Sequence, residues 1–211
     1  MPLTVVPATE ADLPRSIAIE RRAYGPNKAS SIFFPGKGLS LEDRVAQMSA
    51  RKREDPACQW IKVVDADLEA KGEESMIAFS QWFVYSADVK PSPVKRSWGP
   101  GTNPEACDSF FGEMDRRWWN RFEGKPHVYL KLLHTDPDHQ RRGAGGMCLQ
   151  WGVSMADRLG LVSYLEASEE GRPLYERYGF REVDRIVVDL SKWGSTEPAT
   201  AYLMVREPVL N

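Results

Sequence analysis

The chain has 211 residues, with 28 Lys and Arg against 30 Asp and Glu, and a formal net charge of −2. At about 150 residues per domain, this length predicts one large domain or one domain with an insertion. The 42% hydrophobic content excludes global disorder, and the near-zero charge lacks the basic excess of a dedicated nucleic-acid binder.

Three cysteines, Cys58, Cys107 and Cys148, lie far apart in the sequence. An odd number without a Cys-x-x-Cys pair argues against a disulfide framework and a structural zinc site, so no metal is expected. No basic segment followed by a long apolar run opens the chain, and no stretch approaches about 18 consecutive apolar residues. We therefore expect a cytoplasmic protein with reduced thiols that neither enters a membrane nor binds nucleic acid.

Hydrophobic patterning in the first half of the chain predicts two helices and three strands. Thr9 followed by Asp12 is typical of a capped helix start, and Gly25 with Pro26 ends that first helix. Two runs rich in β-branched and aromatic residues, joined by a charged connection, predict a hairpin. The predicted ranges are strands at 3–6, 59–64 and 76–85, a loop at 27–39, a second helix at 41–53 and the charged connection at 65–75.

The segment 86–125 is long, and its first part is rich in proline and glycine, which excludes a regular element there. Asn103 as an N-cap, with Pro104 at the first helical position, predicts a helix that ends at Gly124. Aromatic residues recur along this helix at helical spacing: Phe110, Phe111, Trp118, Trp119 and Phe122.

The last third of the chain predicts the order β-α-β-α-β-β, which is typical of a mixed α/β sheet. Gly160 and Gly179 end the two helices. The predicted ranges are strands at 128–133, 162–167, 183–190 and 201–205, a loop at 135–142, and helices at 145–158 and 170–178.

A glycine-rich turn, Gln-Arg-Arg-Gly-Ala-Gly-Gly at residues 140–146, stands between a strand and a helix. Backbone N–H groups at a helix start carry partial positive charge, and glycines let a phosphate approach the main chain. Arg141 and Arg142 add positive charge at the rim. The turn is therefore a candidate anion site, although it lacks the Lys of a P-loop.

A dinucleotide-binding turn is one alternative for these glycines, with Glu166 as the acid that would bind the ribose. Two observations count against it. Cys148 occupies the third glycine position, and the glycines begin about eight residues beyond the strand, whereas a Rossmann turn leaves its strand almost at once.

The pattern Gln-x-x-Gly-x-Gly at 140–145, preceded by Thr-Asp-Pro at 135–137, resembles the acyl-CoA loop of the GNAT superfamily of N-acetyltransferases. The stretch Leu-Tyr-Glu-Arg-Tyr-Gly-Phe at 174–180 resembles the second signature of that family. The interval between the two signatures is similar as well. The specific resemblance covers residues 128–190 and looks most like fungal members, and the remainder is compatible in pattern only.

The resemblance implies an α/β (α+β) fold of one domain over residues 1–211, with a mixed, centrally splayed sheet flanked by helices and an insertion at 86–125. It implies acetyl-CoA as cosubstrate. Backbone groups of Leu133, His134 and Thr135, freed at a bulge, would pair with the pantetheine arm and the acetyl carbonyl. Ser168 stands where the family often has an Asn that binds the CoA arm. The backbone of Arg141, Arg142, Gly143, Ala144, Gly145 and Gly146 would hold the pyrophosphate, and Gln140 and Tyr175 are further cofactor-binding candidates.

Tyr175 matches the general acid of the family. A phenol with a pKa of about 10 stays protonated at neutral pH and can donate to the leaving thiolate. Packing under the CoA loop is the alternative role for Tyr175. Cys148 lies in a helix whose inner face needs small apolar residues, so we expect a core thiol and direct transfer in a ternary complex.

The general base stays open at this stage. Tyr129 and Lys131 alternate with apolar residues and therefore share one face of their strand, just ahead of the implied bulge. A Lys whose stem packs while its ammonium reaches water is the alternative for Lys131. A water chain ending at Glu20, Glu123 or Glu166 is a further possibility.

Phe33, Phe34 and Trp82, with the aromatic helix of 86–125, are candidates for the wall of an apolar acceptor pocket that also includes Tyr129 and Lys131. Packing of that helix on the sheet, or a dimer contact, is the alternative, so monomer and homodimer both stay open. An enclosed aromatic site favours a small-molecule amine as acceptor. A CoA-binding module without turnover and a dinucleotide-dependent oxidoreductase are the competing functions.

Overall fold

A computed structural model gives the fold of residues 2–25, 28–94 and 96–210. Within them the strands are β1 (Leu3–Pro7), β2 (Cys58–Asp65), β3 (Met76–Tyr85), β4 (His127–Thr135), β5 (Ser163–Ala167), β6 (Arg181–Val188) and β7 (Ala199–Arg206). They form a mixed sheet in the order β1-β2-β3-β4-β5-β7-β6, and β4 with β5 is the one parallel pair among these described strands. The predicted mixed α/β sheet is confirmed.

The capped helix starts predicted from the sequence are also confirmed. The Thr9 backbone N–H donates to Asp12 Oδ2 at 2.8 Å, and Asn103 Oδ1 accepts from the Ala106 N–H at 3.2 Å. Pro26, one of the two predicted stop residues, lies outside the described residues. The helices are α1 (Leu13–Tyr24), α2 (Lys28–Phe33), α3 (Leu41–Glu54), α4 (Ala66–Ala70), α5 (Pro104–Cys107), α6 (Glu113–Phe122), α7 (Ala144–Leu159) and α8 (Arg172–Arg177).

The loop predicted at 27–39 is wrong for residues 28–33, which form α2. Ile32 and Phe33 pack there with Cys107 and Leu190 in a small separate core. The sequence pattern missed this helix because one turn and a half is too short to show a clear period, and its partners lie more than 70 residues away.

The other two corrections concern irregular helical segments. The charged connection at 65–75 contains α4, which Asp65 caps by accepting from the Asp67 N–H at 2.9 Å. The helix predicted to run to Gly124 is divided between α5 and α6 by a π-helical stretch at Asp108–Gly112. A Cβ at Gly112 would stand 2.5 Å from the Asp108 carboxylate, so that exposed side chain would have to move aside.

Helices cover both faces of the sheet. On one face α7 lies across β1 to β4, and its Leu149 and Val153 pack against Leu130. On the other face α1, α3 and α6 form the second layer, where Ile17 and Trp118 belong to the largest core cluster. Both faces of the central strands are therefore buried, as expected for a sheet between two helical layers.

The α7 helix approaches β3 most closely at Gly152. A Cβ added there would stand 2.3 Å from the ring of Trp82, which is fully buried. Ala is normally better than Gly inside a helix by about 1 kcal/mol. Because the ring would have to shift, we expect Gly152→Ala instead to lower the free energy of unfolding by about 1–3 kcal/mol, measured by urea denaturation.

Gly38→Ala is the matched control, because a Cβ at Gly38 would meet no atom within 4 Å. We expect its free energy of unfolding to stay within about 0.5 kcal/mol of the parent protein. A Gly152→Ala protein as stable as the Gly38→Ala protein would show that Trp82 does not pack against α7 as described.

Candidate active site

The pairing between β4 and β5 stops at Leu130 and Leu165. On its other side β4 remains paired with β3 as far as Thr135, with Lys131 as an extra residue between the partners of Gln81 and Trp82. A bulge of this kind bends a strand and re-aims its side chains. Beyond Leu130 and Leu165, residues 131–135 of β4 and 166–167 of β5 are not paired with each other. We call the opening between these two strand segments the split.

The predicted cosubstrate residues of β4 all lie along the split. The Leu133 carbonyl accepts a hydrogen bond from Tyr24 Oη at 3.0 Å. The His134 ring is buried, its Nε2 is 3.0 Å from Ser16 Oγ, and burial lowers the pKa of His134 to about 3. The His134 side chain is therefore neutral and committed to α1, which leaves the backbone of this segment for a ligand.

The glycine turn ends at the N-terminus of α7. Gly143 is the N-cap residue with a φ of +89° and no side chain to cap the helix. The first-turn N–H groups of α7, including those of Gly145 and Gly146, have no partner within a helix, and together they form a positive site at one end of the split. Such a nest of amides suits a phosphate or diphosphate group.

The two arginines of the turn differ in their contacts. Arg142 Nη2 donates to Asp65 Oδ2 at 2.5 Å, and Arg142 Nη1 lies 3.1 Å from His139 Nδ1. Arg142 therefore anchors the turn to the end of β2. Arg141 is exposed, with a φ of +59°, so its guanidinium is the one left for an anion in solution. The Gln140 side chain contacts the Thr135 carbonyl of its own loop at 3.5 Å.

A second buried carboxylate anchors the other side of the turn. Asp136 directly follows β4, is 1% exposed, and accepts from Arg15 Nη2 and from Arg22 Nη1, both at 2.7 Å. Its Oδ1 also accepts from the Asp138 N–H at 3.1 Å. These contacts fix α1 against the turn, and sequence reasoning missed them because the partners are more than 100 residues apart.

Tyr175, the predicted general acid, lies on α8 and packs in the same core cluster as Leu130 and Leu165. It is 9% exposed, and burial raises the pKa of Tyr175 to about 12. The phenol therefore stays protonated at neutral pH and can act as a donor. Burial and, to a smaller extent, the nearby Tyr175 raise the pKa of Tyr24. Tyr24 thus joins Leu133 and Tyr175 at one place, which sequence reasoning did not foresee.

Ser168, predicted beside the CoA arm, occupies the loop between β5 and α8. Its Oγ accepts from the Gly171 N–H at 3.2 Å, and its carbonyl accepts from the Arg172 N–H at 3.0 Å. The hydroxyl thus stabilises the start of α8 and keeps one lone pair for another donor.

The structure brings together Tyr129, Lys131 and Glu166 where the split begins. Tyr129 Oη donates to Glu166 Oε2 at 2.7 Å, and Lys131 Nζ donates to Tyr129 Oη at 2.6 Å. The two other carboxylates considered as a base lie outside this cluster. Glu20 is paired with Arg44 and is near enough to Tyr24 to raise the pKa of that phenol, and Glu123 is exposed at the end of α6.

The three aromatic residues predicted to wall an acceptor pocket have different surroundings. Phe33 is buried and stacks on Phe110 with ring centres 5.2 Å apart. Phe34 is 46% exposed, and Trp82 is fully buried on the face covered by α7. The structure therefore does not assemble them into one wall. Trp118 and Phe122 of α6 are buried on the sheet, in agreement with the packing alternative.

Cys148 is fully buried, and burial raises the pKa of its thiol to about 12, which removes the thiolate that an acyl-enzyme would need. Among the described residues no group of three or more His, Cys, Asp or Glu side chains could hold a metal ion. None of the described helices has the length and hydropathy needed to cross a membrane.

Residues 111–180 match the Acetyltransferase (GNAT) family. A structure of a mosquito arylalkylamine N-acetyltransferase like 5b is similar at 14% identity, with 98% of this chain and 100% of that chain covered and a TM-score of 0.63. The ribosomal-protein-S18-alanine N-acetyltransferase from Escherichia coli is similar at 15% identity over 100% and 96%, with a TM-score of 0.58.

Arabidopsis thaliana NAA60 in complex with a bisubstrate analogue is similar at 17% identity over 100% of both chains, with a TM-score of 0.59. These identities are low, so the structural similarities establish the fold and leave the acceptor open.

Proposed function

From the premise that the chain resembles the acetyltransferase (GNAT) family, in sequence over residues 111–180 and in fold over its length, we propose that it transfers an acetyl group from acetyl-CoA to an amine. The single observation that carries this proposal is the split between β4 and β5 with the uncapped glycine turn at its end. The unpaired strand edge suits the amides of a pantetheine arm, and the turn suits its diphosphate.

Transfer in this proposal is direct, from the thioester to the bound amine. A freed N–H of the β4 segment near Leu133 stabilises the oxyanion of the tetrahedral intermediate, an effect worth about 3 kcal/mol. Tyr175 gives its proton to the departing thiolate, and its raised pKa keeps that proton in place until the C–S bond breaks. The buried, protonated Cys148 supports a route without a covalent enzyme intermediate.

A small-molecule amine is the proposed acceptor. The surroundings of the Tyr129 hydroxyl are enclosed and aromatic, because Trp118 and Tyr164 lie with ring centres 5.5 Å and 5.4 Å from Tyr129. An enclosed site whose aromatic rings surround a few charged groups suits a compact amine better than an extended peptide.

Two competing functions predict different binding. A dinucleotide-dependent oxidoreductase would bind both hydroxyls of a ribose through the Glu166 carboxylate, but Oε2 already accepts from Tyr129 Oη at 2.7 Å. A CoA-binding module without turnover would bind acetyl-CoA and release no thiol. Both alternatives are therefore open to one pair of measurements.

The test combines calorimetry with a thiol-release assay. We expect the protein to bind acetyl-CoA and not NAD, and to release CoA thiol with at least one of phenethylamine, spermidine and an alanyl peptide. Acetyl-CoA binding with background release for every amine would favour the module without turnover. NAD binding without acetyl-CoA binding would contradict the acetyltransferase proposal.

A further inference from the structure

The split begins at a buried cluster of charged and phenolic side chains. Lys131 lies in the bulge of β4, and Glu166 is the first residue of β5 that no longer pairs with β4. The Tyr129 hydroxyl lies between these two side chains and is hydrogen-bonded to both. The two hydrogen bonds run in one direction, toward Glu166: the Lys131 ammonium donates to the Tyr129 oxygen, and the Tyr129 hydroxyl donates to Glu166 Oε2. The carboxylate of Glu166 is therefore the final acceptor of these two hydrogen bonds.

The segment 86–125 contributes two charges to this cluster. Asp115 Oδ1 of α6 lies 3.7 Å from Lys131 Nζ. Arg96, from the proline-rich part of the segment, binds both carboxylate oxygens of Asp115, with Nη2 donating to Oδ1 at 3.0 Å. Lys131 and Arg96 thus stand against the two carboxylates Asp115 and Glu166 at the start of the split. A third cation, Arg51 of α3, lies over the Phe83 ring and also lowers the pKa of Lys131.

Two buried oxygens of the cluster, Glu166 Oε1 and Tyr164 Oη, have no hydrogen bond of good geometry among the described residues. The Tyr164 hydroxyl nevertheless lies close enough to the Glu166 carboxyl for a weak contact that lowers the pKa of Glu166. Buried polar atoms in proteins are nearly always paired, and an ionised carboxylate oxygen accepts up to two hydrogen bonds. A donor with several hydrogens, an ammonium group or a water held by one, would satisfy both oxygens at once.

We propose that Glu166 receives the proton of the acceptor's ammonium group through Oε1, and that Lys131 and Asp115 are positioning residues that hold Tyr129 and Glu166 in place. This inference rests on the proposed acetyl transfer. The ammonium R–NH3⁺ gives one proton to Glu166 and becomes R–NH2, which forms the C–N bond. As the C–S bond breaks, Tyr175 protonates the thiolate, and the nitrogen returns a proton to Tyr175. Glu166 then loses its proton to solvent.

The electrostatic surroundings support Glu166 as the proton acceptor. Burial raises the pKa of Glu166 despite the opposing charge of Lys131, and a carboxylate with a raised pKa is a stronger base at neutral pH. Burial lowers the pKa of Lys131, while the charges of Glu166 and Asp115 oppose that shift. As an ammonium group that donates to Tyr129 Oη, Lys131 has no lone pair with which to act as a base.

The test is Glu166→Gln, which keeps the shape and the acceptor oxygen but cannot take a proton. We expect kcat/KM for phenethylamine or spermidine to fall about a hundredfold or more near neutral pH, with acetyl-CoA affinity unchanged. The acidic limb of the pH profile should disappear. Glu123→Gln, at the exposed carboxylate at the end of α6, is the matched control and should retain both the rate and the limb.

Asp115→Asn tests the positioning role. The charge of Asp115 raises the pKa of Glu166, so its removal should move the acidic limb of kcat/KM toward lower pH without abolishing it. A lowered rate with an unmoved limb would reduce Asp115 to a structural role and contradict this part of the proposal.

Carbon-13 NMR of Glu side-chain carboxyls, with Glu166 assigned through the Glu166→Gln spectrum, decides the inference even without turnover. A Glu166 carboxyl whose pKa is raised above that of an ordinary glutamate but that is ionised at neutral pH supports it. A carboxyl that is still protonated at neutral pH, or one whose pKa is not raised, overturns it. If acetyl-CoA binds and no amine turns over, the proposed function fails while this titration still decides the base. A Glu166→Gln rate within about threefold of the parent protein also overturns the inference.

Discussion

Tyr175→Phe should lower kcat by roughly ten- to a thousand-fold and leave the Kd for acetyl-CoA nearly intact. The substitution removes one oxygen from a ring that is 9% exposed and packs edge-on against Phe180 with ring centres 6.2 Å apart. Because packing is preserved, the loss reports on the proton that Tyr175 gives to the thiolate. Steady-state kinetics with calorimetry for acetyl-CoA measure the two quantities.

Tyr178→Phe is the control within the same motif. The Tyr178 hydroxyl lies against Gly146, where a Cβ would stand 2.7 Å from it, so this phenol belongs to the packing between α8 and α7. We expect its kcat to change much less than that of Tyr175→Phe. Equal rates for Tyr175→Phe and the parent protein would restrict Tyr175 to packing.

The second large effect is expected at the glycine turn. Gly143→Asp should raise the Kd for acetyl-CoA at least about a hundredfold, since it places a negative charge at the N-terminus of α7, where we propose that the diphosphate binds. A Cβ at Gly143 meets no atom within 4 Å, and Asp is a favourable N-cap residue, so the fold should survive. The φ of +89° adds some strain, which Asp and Asn tolerate better than most residues.

Gly143→Asn separates charge from shape, because Asn has the same size and the same tolerance of positive φ. We expect Gly143→Asn to bind acetyl-CoA more weakly than the parent protein but much more tightly than Gly143→Asp. Calorimetry on all three proteins gives the comparison. Equal affinities of the Asp and Asn variants would mean that no phosphate lies near this turn.

Local signals in the sequence predicted much of the framework. The helix boundaries at Thr9, Asn103 and Gly160 could be predicted, because a capping side chain or a terminal glycine acts on residues only a few positions away. The glycine turn and the order of the last six elements are visible for the same reason. The central splay followed from the resemblance to a family and not from any pattern in the residues.

Long-range partners could not be predicted from one sequence. The sequence shows Arg142 beside the turn, but its partner Asp65 lies 77 positions away and only the folded sheet brings the two together. Tyr24 and Asp115 are similar cases. Tyr24 lies on α1 and Asp115 on α6, and the packing of each helix against the sheet decides which of its side chains reach the split. No rule for residues close in sequence describes that packing.

Trp82 shows a different limit. The alternation of β3 indicates that neighbouring side chains point to opposite faces, but every residue of this strand up to Phe83 is buried, so polarity does not tell which face carries the ligand. Trp82 was predicted to line an acceptor pocket, and its place against Gly152 follows from the position of α7.

The split also has a thermodynamic meaning. It is a gap in an otherwise continuous sheet, and a pantetheine arm that pairs with β4 would act there as a substitute strand. Mass action then adds RT ln(1 + [L]/Kd) to the stability, about 2.7 kcal/mol at a hundredfold excess over Kd. The cellular supply of acetyl-CoA would thus set how firmly the two halves of the sheet are joined, and with it how long the protein escapes proteolysis.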